Sequence, residues 1–483
     1  MGTPQNRYFI PFFILLGLAA GVWRYWALQQ TTYGNGWDSY FYLVQLKSLF
    51  ETGQMHSPEW SIFYPWQAFF ILLAGGNYIL GYKIGAAALA ALFTLVAGYF
   101  IHSRTKHPGL TLLVMSWFVF SPHLSYFTAQ YPKNLLGVIL FIGVLSTLGR
   151  SFYWTIFALV ITFFSHRMGF ALAVITSLLY WFFEYKKVWF HSLKANKYWI
   201  LGIIGLLAVL MAVIPGILNW TDLGRFNEFL SPLPQFAPWS FFTSFSSQRI
   251  SVFWLIELVC ACLFLVYFWA RPTRSALLSA LATTCILLLF PFLEWSFTGM
   301  AYRFFMVFVL LAPLLLAAWP IPMLWVPTLA LLLASSWSWK SYNPGLHDPD
   351  YRLFDHCSQK AASILQNQNP SPELLIAPNA LAAFYTFSQK TDAMPWIPEY
   401  PIAEDKLWRI AGSVWRKEVA YFAQDSQVYQ LPGRYVLLRE KSWQNAIQHA
   451  RSTQDSAFLN QALNWPNPSQ KRPAFLLNKK KRQ

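Results

Sequence analysis

The sequence predicts a polytopic α-helical membrane protein of about 11 transmembrane helices with a small carboxy-terminal α/β domain, and three observations carry that prediction. Of the 483 residues, 56% are hydrophobic and only 12% are charged. The apolar residues come in blocks of roughly 16 to 22, which suits helices that satisfy their backbone polar groups internally. Such blocks are too continuous for the alternating strands of a membrane barrel. After Trp339 the character changes, and charges, Asn, Gln and Pro appear at the density of a soluble domain.

Taken in order, the apolar runs place spans at 8–28, 79–101, 109–128, 134–149, 152–165, 168–184, 199–218, 251–270, 275–293, 303–319 and 321–338. The first run lacks a small-residue cleavage site after its apolar core, so it is kept as a span and not read as a secretory signal. The basic stretches "HSRTKH" (102–107), Arg150, "EYKKVWFHSLKANK" (184–197) and "RPTR" (271–274) then fall on one side. The positive-inside rule makes that side, and the amino terminus, cytoplasmic in an inner membrane. The first loop at 29–78, the turn "AQYPKN" (129–134), the pair His166–Arg167, the loop at 219–250, the turn "EWSFTGMAYR" (294–303) and everything after 339 are expected outside.

Two domains follow, a transmembrane one over 1–338 and an extracytoplasmic one over 339–483. In the second, "ELLIAP" and "RYVLLRE" read as short buried strands, and "LFDHCSQKAASILQNQ", "ALAAFYTFSQK" and "SWQNAIQHARS" as helices. The "NKKKRQ" tail reads as a solvated end with some attraction to anionic lipid. A formal charge of +16 invites nucleic acid as a partner. Much of the excess sits in short loops, where membrane topology already explains it, so no nucleic acid is expected. Cys260, Cys262 and Cys285 lie in apolar runs and Cys357 stands outside them, which gives neither a disulfide framework nor a zinc spacing.

The polar residues without a topological reason collect on the outer side. "WDSYFYLVQLKSLFETG" (37–53) has helical spacing and a natural stop at Gly53. At about 100° per residue, Trp37, Phe41 and Val44 share a face, and Asp38, Tyr42 and Gln45 form a neighbouring polar stripe. Such a helix would lie in the membrane interface, where a lone carboxylate can accept a proton while a lipid substrate keeps its chain in the bilayer. The plainer reading is an amphipathic loop helix with an aspartate at its start. Lys133 in "YPKN", Arg303 in "AYRFF" and the pair His166–Arg167 set cations at the outer boundary. Cations there suit a lipid phosphate; singly, each is equally an anchor that snorkels. Glu257, inside the eighth span, is paired or functional. His56, Glu59, Asp222, Glu228 and Glu294 are outward metal-ligand candidates, yet no DxD spacing occurs in the early outer loops. No metal site is therefore predicted, and a Mg or Mn ion is the less favoured alternative to having no cofactor. GxSxG, HExxH and ATP-binding loops are absent from the sequence.

An outer loop "GWDSYFYLVQLKSLFETGQ…YPW" after a first span resembles the GT-C superfamily of integral membrane glycosyltransferases, and in particular the first loop of oligosaccharyltransferase catalytic subunits. "FSPHLSYFTAQYPKNLLGVILF", "FFSHRMGFAL" and "GMAYRFFMVFVLLAP" resemble later segments of that family in order, over residues 8–320. The resemblance implies a polyprenyl-phosphate-linked sugar as donor, membrane lipids around it, and transfer on the extracytoplasmic face. It makes Asp38 the catalytic base and Arg303 a phosphate contact, with Lys133 and Arg167 matching by segment. Tyr42, Glu59, His56 and His166 are the candidates for contacts to acceptor or sugar. Tyr42 and Val44 stand where oligosaccharyltransferases often carry His and Arg, the second outer turn lacks DxD, and no WWDxG follows the last span. These departures favour an inverting transferase that moves one sugar from a polyprenyl monophosphate to a glycan, lipid or protein acceptor. The alternatives are an oligosaccharyltransferase with a lipid-pyrophosphate donor, a flippase of lipid-linked sugars, and a non-catalytic scaffold.

Overall fold

In a computed structural model of the chain, the residues described are 5–34, 37–53, 55–56, 61–182, 184, 235–236, 275–288, 293–294, isolated positions between 307 and 318, 351–368, 374–377, 379–388, 393–395, 407–412, 428–432 and 435–453. They form two compact units. Unit 1 takes Met1–Ala27, Pro58–Leu73 and Lys83–Asn343, and unit 2 takes Leu28–Ser57, Ala74–Tyr82 and Pro344–Gln483.

Among the described residues, the helices of unit 1 are α1 (Gln5–Leu28), α3 (Phe63–Leu73), α4 (Tyr78–Thr105, from Lys83 on), α5 (Pro108–Phe120), α6 (Pro122–Gln130), α7 (Pro132–Thr147), α8 (Phe152–Phe163), α9 (Arg167–Phe182) and α10 (Ser275–Leu288). Within the described residues, Phe9–Leu28 and Tyr78–Thr105 are long and apolar enough to cross a membrane, and the bent pair α5–α6 is a third if counted as one span. The fold is thus largely α-helical and membrane-associated. The expected spans at 199–218, 251–270 and 321–338, and most of 303–319, lie outside the described residues. A two-residue antiparallel pairing joins β1 (Gln235–Phe236) to β2 (Leu293–Glu294).

Proline sets the breaks. The expected single span at 109–128 is instead α5 and α6, bent by 54°. Ser121, held extended at φ −59° and ψ 119° by the proline after it, ends α5 and caps α6 by accepting from Leu124 N at 3.3 Å. Tyr131 before Pro132 and His107 before Pro108 divide the chain in the same way.

A buried arginine completes the bend. A continuous helix would have offered the N–H of residue 122 to Phe118 O, but Pro122 has none to give. Arg24 of α1, 1% exposed, donates to Phe118 O at 2.7 Å, to Ser121 O at 2.9 Å and to Val119 O. The guanidinium therefore answers the carbonyl end of α5, where helix-end partial charge also favours a cation.

Beyond the bend, α7, α8 and α9 run up and down. Gly149, at φ +79°, turns α7 into α8, and a Cβ there would sit 2.8 Å from Tyr180 Oη near the end of α9. At this same end Arg104, in the last turn of α4, donates to Leu145 O at 2.9 Å. The carboxy-terminal ends of α4, α7 and α9 therefore share one end of unit 1, with Arg150 among them.

In unit 2, α2 (Trp37–Thr52) joins a domain of α11 (Tyr351–Gln368), β3 (Leu374–Ala377), α12 (Asn379–Ser388), β4 (Ala393–Pro395), β5 (Leu407–Gly412), β6 (Tyr429–Gln430), β7 (Tyr435–Arg439) and α13 (Glu440–Ser452). The sheet order is β4-β3-β5-β7-β6, with β3 parallel to β4 and β5 and the other pairs antiparallel. Alternation along β5 turns Trp408 into the core shared with α11 and α12, and turns Arg409 over the Trp443 ring of α13, 5.4 Å from its centroid. Tyr40 and Val44 of α2 belong to that same core with Phe354, Phe384 and Leu437. Tyr33 and Tyr40 meet the Phe384 ring at 4.9 and 5.9 Å.

This packing corrects the reading of the first loop. The helix ends at Thr52, as Gly53 with φ +71° requires, and its stripe of Tyr42 and Gln45 is not open to solvent. Tyr42 is 4% exposed and Gln45 is 0%, so two of the three residues read as a polar stripe are buried, with Asp38 half-buried. Part of the same loop, moreover, is the apolar helix α3, whose Gln67 is also fully buried.

Replacing Arg24 by Met is expected to lower the thermal unfolding midpoint of the purified protein, because each buried carbonyl left unanswered costs about 1–3 kcal/mol. Arg24→Lys, which keeps a donor, is expected to recover part of the loss. An unchanged midpoint in Arg24→Met would contradict the capping role.

Candidate functional site

Within unit 1 the approach of two helices decides which predicted residues meet. At the crossing of α7 and α9 a Cβ on Gly169 would lie 2.4 Å from Gly137 O, and one on Gly137 would lie 3.1 Å from His166 Cβ. Gly169 has no room for a side chain against the Gly137 backbone, and a Cβ on Gly137 would itself be tight. Because α7 and α9 share their carboxy-terminal ends, this contact brings their amino-terminal ends together at the opposite end of the unit. The start of α3 reaches that end as well, with Ile62 N donating to Phe164 O at 3.0 Å and Ser61 Oγ donating to Ser165 O.

Lys133, expected in a turn at the boundary, instead occupies the first turn of α7 and is 1% exposed. It lies four residues before Gly137, so it shares the α9-facing side of the helix. His166 immediately precedes α9 and is 5% exposed. Its Nδ1 accepts from Met168 N at 3.1 Å, so the neutral ring carries its proton on Nε2. The histidine is therefore a helix cap first, a role that its sequence position did not reveal. Arg167 follows in the first turn of α9, half-buried. Each helix amino terminus adds roughly half a positive charge to those of Lys133 and Arg167.

The sequence supplies no local counter-charge. Between Glu59 and Glu184 there is no Asp or Glu, yet the stretch carries Lys83, Arg104, Lys106, Lys133, Arg150 and Arg167. Whatever balances Lys133 and Arg167 comes from outside that stretch. Two further polar residues here escaped the sequence reading. Lys83, 3% exposed in α4, was passed over inside an apolar run, where a lone lysine is itself a signal. Asn134, next to Lys133, is 0% exposed, and among the described residues neither Oδ1 nor Nδ2 meets a hydrogen-bonding partner.

The remaining predicted residues fall elsewhere. Asp38 begins α2 in unit 2, half-buried, with Tyr42 one turn on and His56 half-buried beyond the helix. The first turn of α2 is held by Tyr82, whose hydroxyl donates to Ser39 Oγ at 3.0 Å. Arg303, Glu59, Glu257, Asp222 and Glu228 lie outside the described residues, as does the side chain of Glu294. Among the described residues no three of His, Cys, Asp and Glu come together. Cys357 in unit 2 is buried and its thiol is held protonated. Burial pushes its thiol up to about 12 against a smaller opposite pull from Lys360, and its Sγ lies 3.1 Å from Pro432 O.

Gly169→Ala is expected to lower the unfolding midpoint by an amount matching about 1–3 kcal/mol, the usual cost of overpacking. Gly143, also in α7 but with open space where its Cβ would be, is the control. Gly143→Ala should leave stability unchanged or raise it by up to about 1 kcal/mol. Equal effects at the two sites would contradict the close crossing.

No family model matches the chain, and no curated protein matches it. Among solved structures, the chain is similar to the crystal structure of ArnT from Cupriavidus metallidurans in the apo state, with a TM-score of 0.42 and 12% identity over 90% of this chain and 98% of that one.

Proposed function

We propose that the protein is an inverting glycosyltransferase that moves a sugar from a polyprenyl-phosphate-linked donor to a glycan, lipid or protein acceptor on the extracytoplasmic face of the membrane. The observation that carries this reading is the pair of juxtaposed helix amino termini bearing the buried Lys133 and the half-buried Arg167 within an acid-free stretch. A membrane segment so arranged favours an anion, and a lipid phosphate is an anion whose chain remains in the bilayer.

In this reading the acceptor hydroxyl gives its proton to the Asp38 carboxylate as its oxygen attacks the anomeric carbon. The bond from that carbon to the phosphate oxygen breaks, and polyprenyl phosphate leaves with the electron pair. The donor phosphodiester carries one negative charge and the departing monoester about 1.5 to 2 near neutral pH. Lys133 and Arg167, with Arg303 from the sequence resemblance, then stabilise the leaving group more than the ground state, which is the requirement for catalysis. The cations do the work that a metal ion does in other transferases, so the reading includes none.

Transfer of labelled sugar from polyprenyl-phosphate donors by the purified protein tests this. Asp38→Asn is expected to cut turnover by about 10²- to 10⁴-fold with the fold intact, and wild-type activity to survive a chelator. Unchanged turnover in the Asn variant removes Asp38 as the base. Loss of activity on chelation favours the oligosaccharyltransferase alternative.

A further inference from the structure

Asn134 has a position that phosphate binding alone does not explain. On α7 the line of Gly137 runs about 40° from Lys133 and about 60° from Asn134, between the two. Since α9 crosses at Gly137, Lys133 and Asn134 straddle the crossing one turn nearer the amino-terminal end, where α9 begins with Arg167. Their Cα–Cβ bonds tilt toward that end. Tyr131, which precedes α7, places no side-chain cap on the helix.

An amide is donor and acceptor at once. Among the described residues both functions of Asn134 go unmet at 0% exposure, a state that costs free energy unless a ligand answers it. A phosphodiester answers half of it, because its oxygens accept from Nδ2 but bring no proton for Oδ1. The other half needs a hydroxyl. We infer that Asn134 is a specificity-determining residue that binds a headgroup carrying both a phosphate oxygen and an adjacent sugar hydroxyl, and so distinguishes the sugar-loaded lipid phosphate from the bare carrier. This inference rests on the proposed function and assigns Asn134 a task within it. The discrimination has a use: the bare carrier is the product, and a site that released it poorly would be inhibited by it.

The test measures binding of farnesyl phosphate and of farnesyl-phosphate-linked glucose, mannose and arabinose to the full chain in detergent, for wild type and Asn134→Leu, together with thermal unfolding. Wild type is expected to prefer at least one sugar conjugate over farnesyl phosphate. Asn134→Leu should shrink that preference by roughly three- to tenfold, weaken farnesyl phosphate by less than it weakens the preferred conjugate, and hold or raise the unfolding midpoint. A purely structural asparagine would give a lower midpoint and an unchanged preference, which overturns the inference. So does a wild type that binds farnesyl phosphate but prefers none of the conjugates; in that case the phosphate site of the proposed function still stands. Failure of wild type to bind any of the four overturns both.

Discussion

The contact of Gly137 with Gly169 is the constraint on which the arrangement of unit 1 depends. Helix axes normally stand about 8–10 Å apart, and side chains set that distance. Removing both side chains at the crossing draws α7 and α9 together until backbone meets backbone. Lys133 and Arg167 come from different helices, and the crossing sets the two helix starts that carry them at one end of unit 1.

The second device is the division of residues 108–147 by prolines. A continuous helix through 109–128 would bury every backbone group in its own hydrogen bonds and leave nothing for α1 to do. With Pro122 in the chain, carbonyls are released in the interior, and Arg24 is the donor that meets them. An arginine inside an apolar segment usually signals function. Here its chemistry is spent on the carbonyl end of α5.

Much of this was legible in the sequence, and what was not has physical reasons. Gly53 announced the end of α2 because a left-handed residue is needed there, and "LLIA" and "YVLLR" were found as β3 and β7 because their apolar runs are short and dense in β-formers. Strands such as Ala393–Pro395 and Tyr429–Gln430 are two or three residues long and carry no period to read, and the six-residue Leu407–Gly412 was missed as well. Pro122 was visible, but hydropathy averages over a window and counts Ser-Pro-His as a dip within one span. The docking of α2 could not be read locally, since the core that Tyr40 and Val44 join includes Phe384 and residues of α11 more than three hundred positions away. Lys133, His166 and Arg167 were found by their charge, whereas Asn134 was missed because an amide beside a lysine looks like loop composition until its burial is known.

The central claim is that the amino-terminal ends of α7 and α9 form an anion site for a lipid phosphate. The most direct measurement is the thermal unfolding midpoint of the purified protein with increasing polyprenyl phosphate, compared with the neutral polyprenol of the same chain length. A ligand that binds only the folded state raises stability with its concentration. The account predicts a rise specific to the phosphate, weakened by salt and lost in Lys133→Met and Arg167→Met. Equal rises with phosphate and polyprenol, or a phosphate effect indifferent to both substitutions, would contradict it.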